Sequence, residues 1–220
     1  MRRNVLLGPM CAAVLATAPA SAQLAGDRDG SWEAGFHLTD SSSFFVADSF
    51  GASIDVEDAL GYGFSGSYNF SNHFALMLDY SWSGPDYLAT FVPDGPGSDV
   101  TIGTRLDVTT LQAKGTYYFL DGAITPFVEL GVGWTNIDSN IISRAPITGC
   151  WWDPFWGYVC ERFYETYNQT ELSYSAGIGV RWDFSQEFMM RAGIGVLGLD
   201  IDGAEDPSTD TLQFDFAWRF

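Results

Sequence analysis

The chain has 220 residues, 46% hydrophobic and 16% aromatic, with 28 acidic against 10 basic side chains and a formal charge of -18. That balance excludes nucleic-acid binding through phosphate neutralisation and favours cations or basic partners. Past residue 22 no apolar run approaches the roughly 20 residues a membrane helix needs, so any membrane span must be built from strands.

Arg2 and Arg3 precede an apolar stretch from Val5 to Ala16 and then Ala20-Ser21-Ala22, a small-residue cleavage pattern. Residues 1–22 therefore read as a secretory signal and 23–220 as one mature domain. Removing Arg2 and Arg3 leaves eight basic residues against 28 acidic ones, a charge of -20. Cys11 lacks the preceding Leu and small residues of a lipoprotein signal and leaves with the segment. No linker, second domain or repeat beyond a hairpin pattern follows.

After Asp29-Gly30, a period of two begins and recurs. The first strand, Ser31 to Asp40, sets Trp32, Ala34, Phe36 and Leu38 against Glu33, Gly35, His37 and Thr39. The second and third carry Tyr62 to Phe70 and Phe74 to Trp82, and one apolar face for both pairs Phe70 with Phe74 around Ser71-Asn72-His73. The fourth sets Leu111, Ala113, Tyr117 and Phe119 against Gln112, Lys114 and Thr116; the fifth sets Pro126, Val128, Leu130, Val132 and Trp134 against Glu129, Gly131 and Gly133. Between them Asp121-Gly122 predicts a two-residue type I′ turn, a register that puts Lys114 across from Glu129. The sixth strand, Leu172 to Phe184, turns at Ser185-Gln186-Glu187 into the seventh, Phe188 to Leu197. The eighth is Thr211 to Phe220, with Leu212, Phe214, Phe216, Trp218 and Phe220 opposite Gln213, Asp215 and Arg219.

Short turns near 71, 121 and 186 alternate with long segments at 41–59, 83–104, 137–169 and 200–210. Eight strands leave an interior wide enough only for side chains or one small ligand. The face crowded with Trp, Tyr, Phe and Leu does not fit there, whereas the face of Gly with scattered Lys and Arg does. Aromatics cluster near the short-turn ends at Phe70, Phe74, Phe119, Trp182, Phe184, Phe188, Trp218 and Phe220, as in an interfacial girdle.

These features, with the closing strand ending on Phe220, resemble small bacterial outer-membrane β-barrels of the opacity-antigen and outer-membrane-protein-A type, a porin-like family, over roughly residues 30 to 220. The resemblance implies an all-β, eight-stranded antiparallel up-and-down transmembrane barrel in the outer membrane of a Gram-negative cell, short turns toward the periplasm and long loops outside. It implies outer-membrane lipid and lipopolysaccharide as surroundings. It also implies periplasmic chaperones and the barrel assembly machinery as partners that read Phe216, Trp218 and Phe220. A monomer with no cofactor is expected. The role implied is structural or surface-interacting, with a host or cell-surface ligand for the loops. A narrow channel for small solutes or ions is the alternative, and a lipid A-modifying barrel enzyme a lesser one.

Within the lumen, Lys114, Arg181, Arg191 and Arg219 are expected to pair with Glu33, Asp79, Glu129, Asp183 and Asp215. Arg181 and Arg191 fall opposite each other across the 185–187 turn, a destabilising pair unless a carboxylate intervenes, and Glu33, Glu129 or Asp215 could bridge them. Such a network fills and rigidifies the barrel, or lines a gated path. In the longest loop Cys150 and Cys160 are expected to form a disulfide in an oxidising compartment, worth roughly 3 kcal/mol on the chain-entropy model. The residues they enclose, Trp151, Trp152, Phe155, Trp156 and Tyr158, make a candidate adhesive or lipopolysaccharide-contacting surface. Catalysis finds little support: His37 points inward, His73 lies in a turn, and neither has a convincing Ser and carboxylate beside it. Asp200-Ile201-Asp202-Gly203 lacks the rest of a calcium loop, and no metal site is expected.

Overall fold

The computed structural model describes residues 28–47, 53–91, 100–142, 147–163, 166–200 and 207–220. The segment read as a signal, 1–22, lies outside these residues. Among them run fourteen strands: β1 (Trp32–Ser41), β2 (Phe44–Ala47), β3 (Ser53–Val56), β4 (Ala59–Asn69), β5 (Phe74–Ser83), β6 (Asp86–Phe91), β7 (Val100–Arg105), β8 (Asp107–Tyr118), β9 (Ile124–Ile142), β10 (Ile147–Asp153), β11 (Gly157–Phe163), β12 (Thr166–Asp183), β13 (Phe188–Asp200) and β14 (Ser208–Arg219). Eight of them close an antiparallel barrel in the order β1-β14-β13-β12-β9-β8-β5-β4, the architecture expected from the alternation.

Closure rests on the two ends of the chain. β1 pairs with β14 in a register that sets Glu33 against Arg219 and Phe36 against Phe216. Beyond the ladder, the Trp32 amide donates to the Phe220 carbonyl at 3.1 Å and the Phe220 amide to the Trp32 carbonyl at 2.9 Å. No edge is left on the barrel, the condition for placing a sheet in hydrocarbon.

Side chains obey the pleat. Glu33, His37, Asp79, Gln112, Lys114, Arg181, Arg191 and Asp215 are buried inside, while Phe36, Leu38, Phe64, Leu78, Leu130, Val132, Ile178, Ile194 and Phe214 point outward and are exposed. Leaving such a side chain in water forfeits about 1.5–3 kcal/mol each, so this band is made for lipid. The aromatic ring expected at the short-turn rim is present, with Phe70, Phe74, Phe119, Trp182, Trp218 and Phe220 exposed. A second ring, Tyr62, Tyr80, Trp134 and Tyr174, marks the opposite rim.

Two short turns take the form the sequence predicts. Phe70 donates to Phe74 across residues 71–73 at 2.9 Å, and Ser71 Oγ accepts the Phe74 amide at 3.1 Å. Ser185 Oγ likewise accepts the Phe188 amide at 2.9 Å. The β8–β9 turn departs from expectation. A type I′ turn needs positive φ at Asp121 and Gly122, but among described residues only Asn140, Gly30 and Gly157 have it. Instead Thr125 Oγ1 accepts the Leu120 amide at 3.0 Å, and the Phe119 amide reaches the Pro126 carbonyl at 3.1 Å. The register shifts by two, so Lys114 opposes Gly131 and Thr116 opposes Glu129. An even shift keeps every side chain on its face and changes only its partner.

Among the described residues, three of the long segments contain further strands. Those at 41–59 and 83–104 contribute a four-stranded sheet, β2-β3-β6-β7, and β10 pairs with β11 in a separate hairpin. β9 and β12 have 19 and 18 residues, well beyond the roughly 9–11 that a tilted strand needs to cross hydrocarbon. At the projecting end of β9, Asn140 takes φ 54° and its amide donates to Arg105 O at 2.9 Å and Asp107 Oδ2 at 2.8 Å, tying the sheet end to the stalk.

The interior has little slack. A Cβ on Gly63 would run into the His37 imidazole and the Tyr80 carbonyl. Gly63→Val is expected to destabilise the barrel by about 1–3 kcal/mol, read as a lower urea midpoint for unfolding from detergent micelles.

Candidate functional site

Two layers of charge fill the barrel. In the layer nearer the short turns, Arg181 on β12 forks onto Glu33 of β1, with Nη2 to Oε1 at 2.6 Å and Nη1 to Oε2 at 3.0 Å. The same guanidinium donates to Asp183 Oδ1 from Nη2 at 2.8 Å and to the Tyr118 hydroxyl from Nη1 at 3.0 Å. Arg219 of β14 joins from the far side, 3.0 Å from Glu33 and 2.6 Å from Asp183. Bidentate geometry of this kind is what arginine supplies and lysine does not.

Arg28, just ahead of β1, completes the layer. It is buried, its Nη2 donates to the Leu120 carbonyl at 2.8 Å, and its Nη1 lies 3.6 Å from Asp183. Arg28 and Arg181 each stand 5.0 Å from the Tyr118 ring centroid, within cation–π range. The parity of β8 places Tyr118 inward, but nothing in the local pattern singles out Arg28, which precedes the first alternation.

In the second layer Arg191 lies 3.3 Å from Asp215 and 3.5 Å from Glu129, with its guanidinium 5.1 Å from the Phe127 ring. Lys114 is 3.5 Å from Asp79, which also faces His37 at 3.4 Å. Gln213 donates to Asp215 at 2.8 Å, and Gln112 bonds Ser173 and Ser175 at 3.2 and 3.0 Å. Arg181 and Arg191 are paired across β12 and β13, as the turn requires. Carboxylates do intervene, with separate partners for each arginine: Glu33 and Asp183 hold Arg181, and Asp215 and Glu129 hold Arg191.

Charges balance across the two layers. Arg28, Arg181 and Arg219 against Glu33 and Asp183 give +1; Lys114 and Arg191 against Asp79, Asp215 and Glu129 give -1, with His37 neutral. A void beside Lys114, Glu129, Gln213 and Asp215 measures about 30 Å³, room for no more than a few waters.

The histidines lie apart, with His37 in the lumen against Asp79 and His73 in the β4–β5 turn, its Nδ1 2.8 Å from the Tyr118 carbonyl and its Nε2 3.3 Å from Asp121. Among the described residues no group of three His, Cys, Asp or Glu is placed to hold a metal ion. Of the Asp200 to Gly203 fragment, residues 201–203 lie outside the described residues.

On the hairpin, Cys150 and Cys160 face each other across β10 and β11 and are disulfide-bonded. Gly157, at φ 76°, closes the turn in a conformation that a side chain would strain. Trp152 and Tyr158 are directly paired and 73% and 68% exposed, and Phe155 and Trp156 in the turn are 88% and 81% exposed. For Trp151 the backbone position alone is described, opposite Val159.

A family model for the outer membrane protein beta-barrel domain matches residues 10–220. No curated protein sequence matches the chain. Among solved structures, the outer membrane protein OprG from Pseudomonas aeruginosa superposes with a TM-score of 0.57 at 12% identity, covering 90% of this chain and 99% of that one. Neisserial surface protein A (NspA) does so with a TM-score of 0.51 at 13% identity, covering 88% and 97%. At such identities the likeness is one of fold.

Glu33 is the shared acceptor of two buried arginines, so Glu33→Gln leaves positive charge stranded and is expected to cost about 3–5 kcal/mol. Tyr118→Phe removes one bond to Arg181 and should cost about 1–3 kcal/mol. Urea unfolding from lipid vesicles measures both, and a smaller loss at Glu33 than at Tyr118 contradicts the ranking.

Proposed function

The chain belongs to the outer membrane β-barrel domain family, and we propose that within it this protein is a closed membrane anchor that presents a rigid contact surface outside the cell. The observation that supports this reading most is the contrast between the two ends of the molecule's work. The lumen is occupied by two layers of mutually neutralised charge, and the void beside Lys114 and Asp215 is about 30 Å³, room for no more than a few waters. The third external connection, by contrast, is raised on the long β9 and β12 and carries a disulfide-stapled turn whose Trp152, Phe155 and Trp156 are exposed. Stapling restricts the aromatic side chains before contact, so less ordering entropy is lost on binding. Outer-membrane lipid and lipopolysaccharide surround the barrel, and a host or neighbouring-cell surface is the partner that the aromatic tip addresses.

In planar bilayers the protein is expected to show no steady conductance above leak, which separates an anchor from a narrow channel. Replacing Trp152, Phe155, Trp156 and Tyr158 together by Ala should abolish adhesion of expressing cells at unchanged surface amounts. Unchanged adhesion removes the contact surface from consideration.

Assembly enters through the same strand that closes the barrel. We assign Phe216, Trp218 and Phe220 as the signal read by periplasmic chaperones and the assembly machinery. Deleting Phe220 is expected to lower the amount of heat-modifiable protein in the membrane while purified protein still refolds into detergent. Equal loss in both settings points instead to a purely structural role for the Trp32–Phe220 bonds.

A further inference from the structure

The lipid face of the barrel is not uniformly convex. Over β9, β12, β13 and β14 it sinks into a groove of about 820 Å³ whose apolar lining includes Leu130, Ala176, Ile178, Ile194 and Leu212. A second hollow of about 450 Å³, over Val180, Ala192 and Pro126, continues it toward the short turns, and the two share Val128, Ile178, Ile194 and Leu212. Ala176 on β12 and Ala192 on β13 keep the floor of the two hollows low between the larger Val180, Ile178, Ile194 and Val196.

At the loop end of the groove stand two carboxylates on the outward face, Asp40 of β1 and Asp210 of β14. Asp40 opposes Leu212, so Asp210 is its diagonal neighbour on the same side of the sheet, a spacing across which both carboxylates can reach one small cation. Both are exposed, and neither is in an ion pair with a described residue. A carboxylate at the margin of hydrocarbon is costly without a counter-charge.

Geometry narrows the occupant. A second copy packed by a two-fold axis would set hollow against hollow and leave an unfilled space, which forfeits dispersion contacts. Flexible hydrocarbon chains lying side by side fill such a groove from end to end. We propose that the groove is a site for a membrane lipid, its acyl chains lying along β12 and β13 and a primary ammonium in its headgroup seated between Asp40 and Asp210.

The test uses the full barrel reconstituted with equimolar phosphatidylethanolamine and phosphatidylcholine, which differ in that the head amine of the second is fully methylated. Lipid retained after transfer to detergent is counted by native mass spectrometry. The parent protein is expected to keep the ethanolamine lipid over the choline lipid by roughly fivefold, the ratio for about 1 kcal/mol of ion pairing. Asp40→Asn with Asp210→Asn should erase the preference while chain retention persists. Ala176→Trp, which fills the groove, should lose both lipids, whereas Ala34→Trp, outward on β1 away from the groove, should keep them. Retention by Ala176→Trp equal to the parent, or no headgroup preference in the parent, overturns the proposal. So does a disulfide-linked dimer formed through Ala176→Cys in membranes, which would assign the groove to a second copy. Should Ala176→Trp fail to reach its heat-modifiable form, the headgroup preference and its loss in the double Asn variant decide alone.

Discussion

Hydrocarbon offers no hydrogen-bond partner to a peptide group, so a sheet placed in it must have no free edge, and the pairing of β14 with β1 is the contact on which the rest of this molecule depends. The two reciprocal bonds between Trp32 and Phe220 seal that seam at its short-turn end. Closing eight strands also sets the radius. Everything on the inner face must then fit a cylinder with room for side chains and little else.

That narrow radius explains the chemistry of the interior. A polar face turned inward cannot be hydrated, so its charges must satisfy one another. Three arginines converge on Glu33 and Asp183, with Tyr118 stacked among them, and Arg191 and Lys114 are held by Asp215, Glu129 and Asp79. The two arginines that pair across β12 and β13 avoid each other by reaching in opposite directions. Glycines such as Gly63 supply the space that the long side chains opposite them occupy.

Outside the membrane the same ribbons serve another purpose. β9 and β12 run on past the second aromatic ring and are buttressed where Asn140 bonds Arg105 and Asp107. Above them a stapled turn displays aromatic surface that a soluble protein would bury. On the proposed reading the stiff interior and the raised hairpin belong together, since a contact surface is held only as firmly as the anchor beneath it. On the lipid side, Ala176 and Ala192 sit low among larger aliphatic residues, and Asp40 and Asp210 stand at the loop end of the hollow.

Period-two alternation was enough to read the eight membrane strands, their faces, the inward charged set and the turns at 71–73 and 185–187, because each depends on residues adjacent in sequence. Cys150 and Cys160 were legible too, ten positions apart across one tight hairpin. The β8–β9 register was not, since the Thr125 hydroxyl outcompetes the Asp-Gly turn and the slip leaves parity intact. Neither was the sheet made by 41–59 and 83–104, whose strands are short and pair across distant segments. Local pattern therefore determined which way each side chain points. Closure of the barrel decided which charges meet, bringing Arg28, Glu33, Arg181 and Arg219 together from both ends of the chain, because only the curved, sealed sheet places residues so distant in sequence within bonding reach.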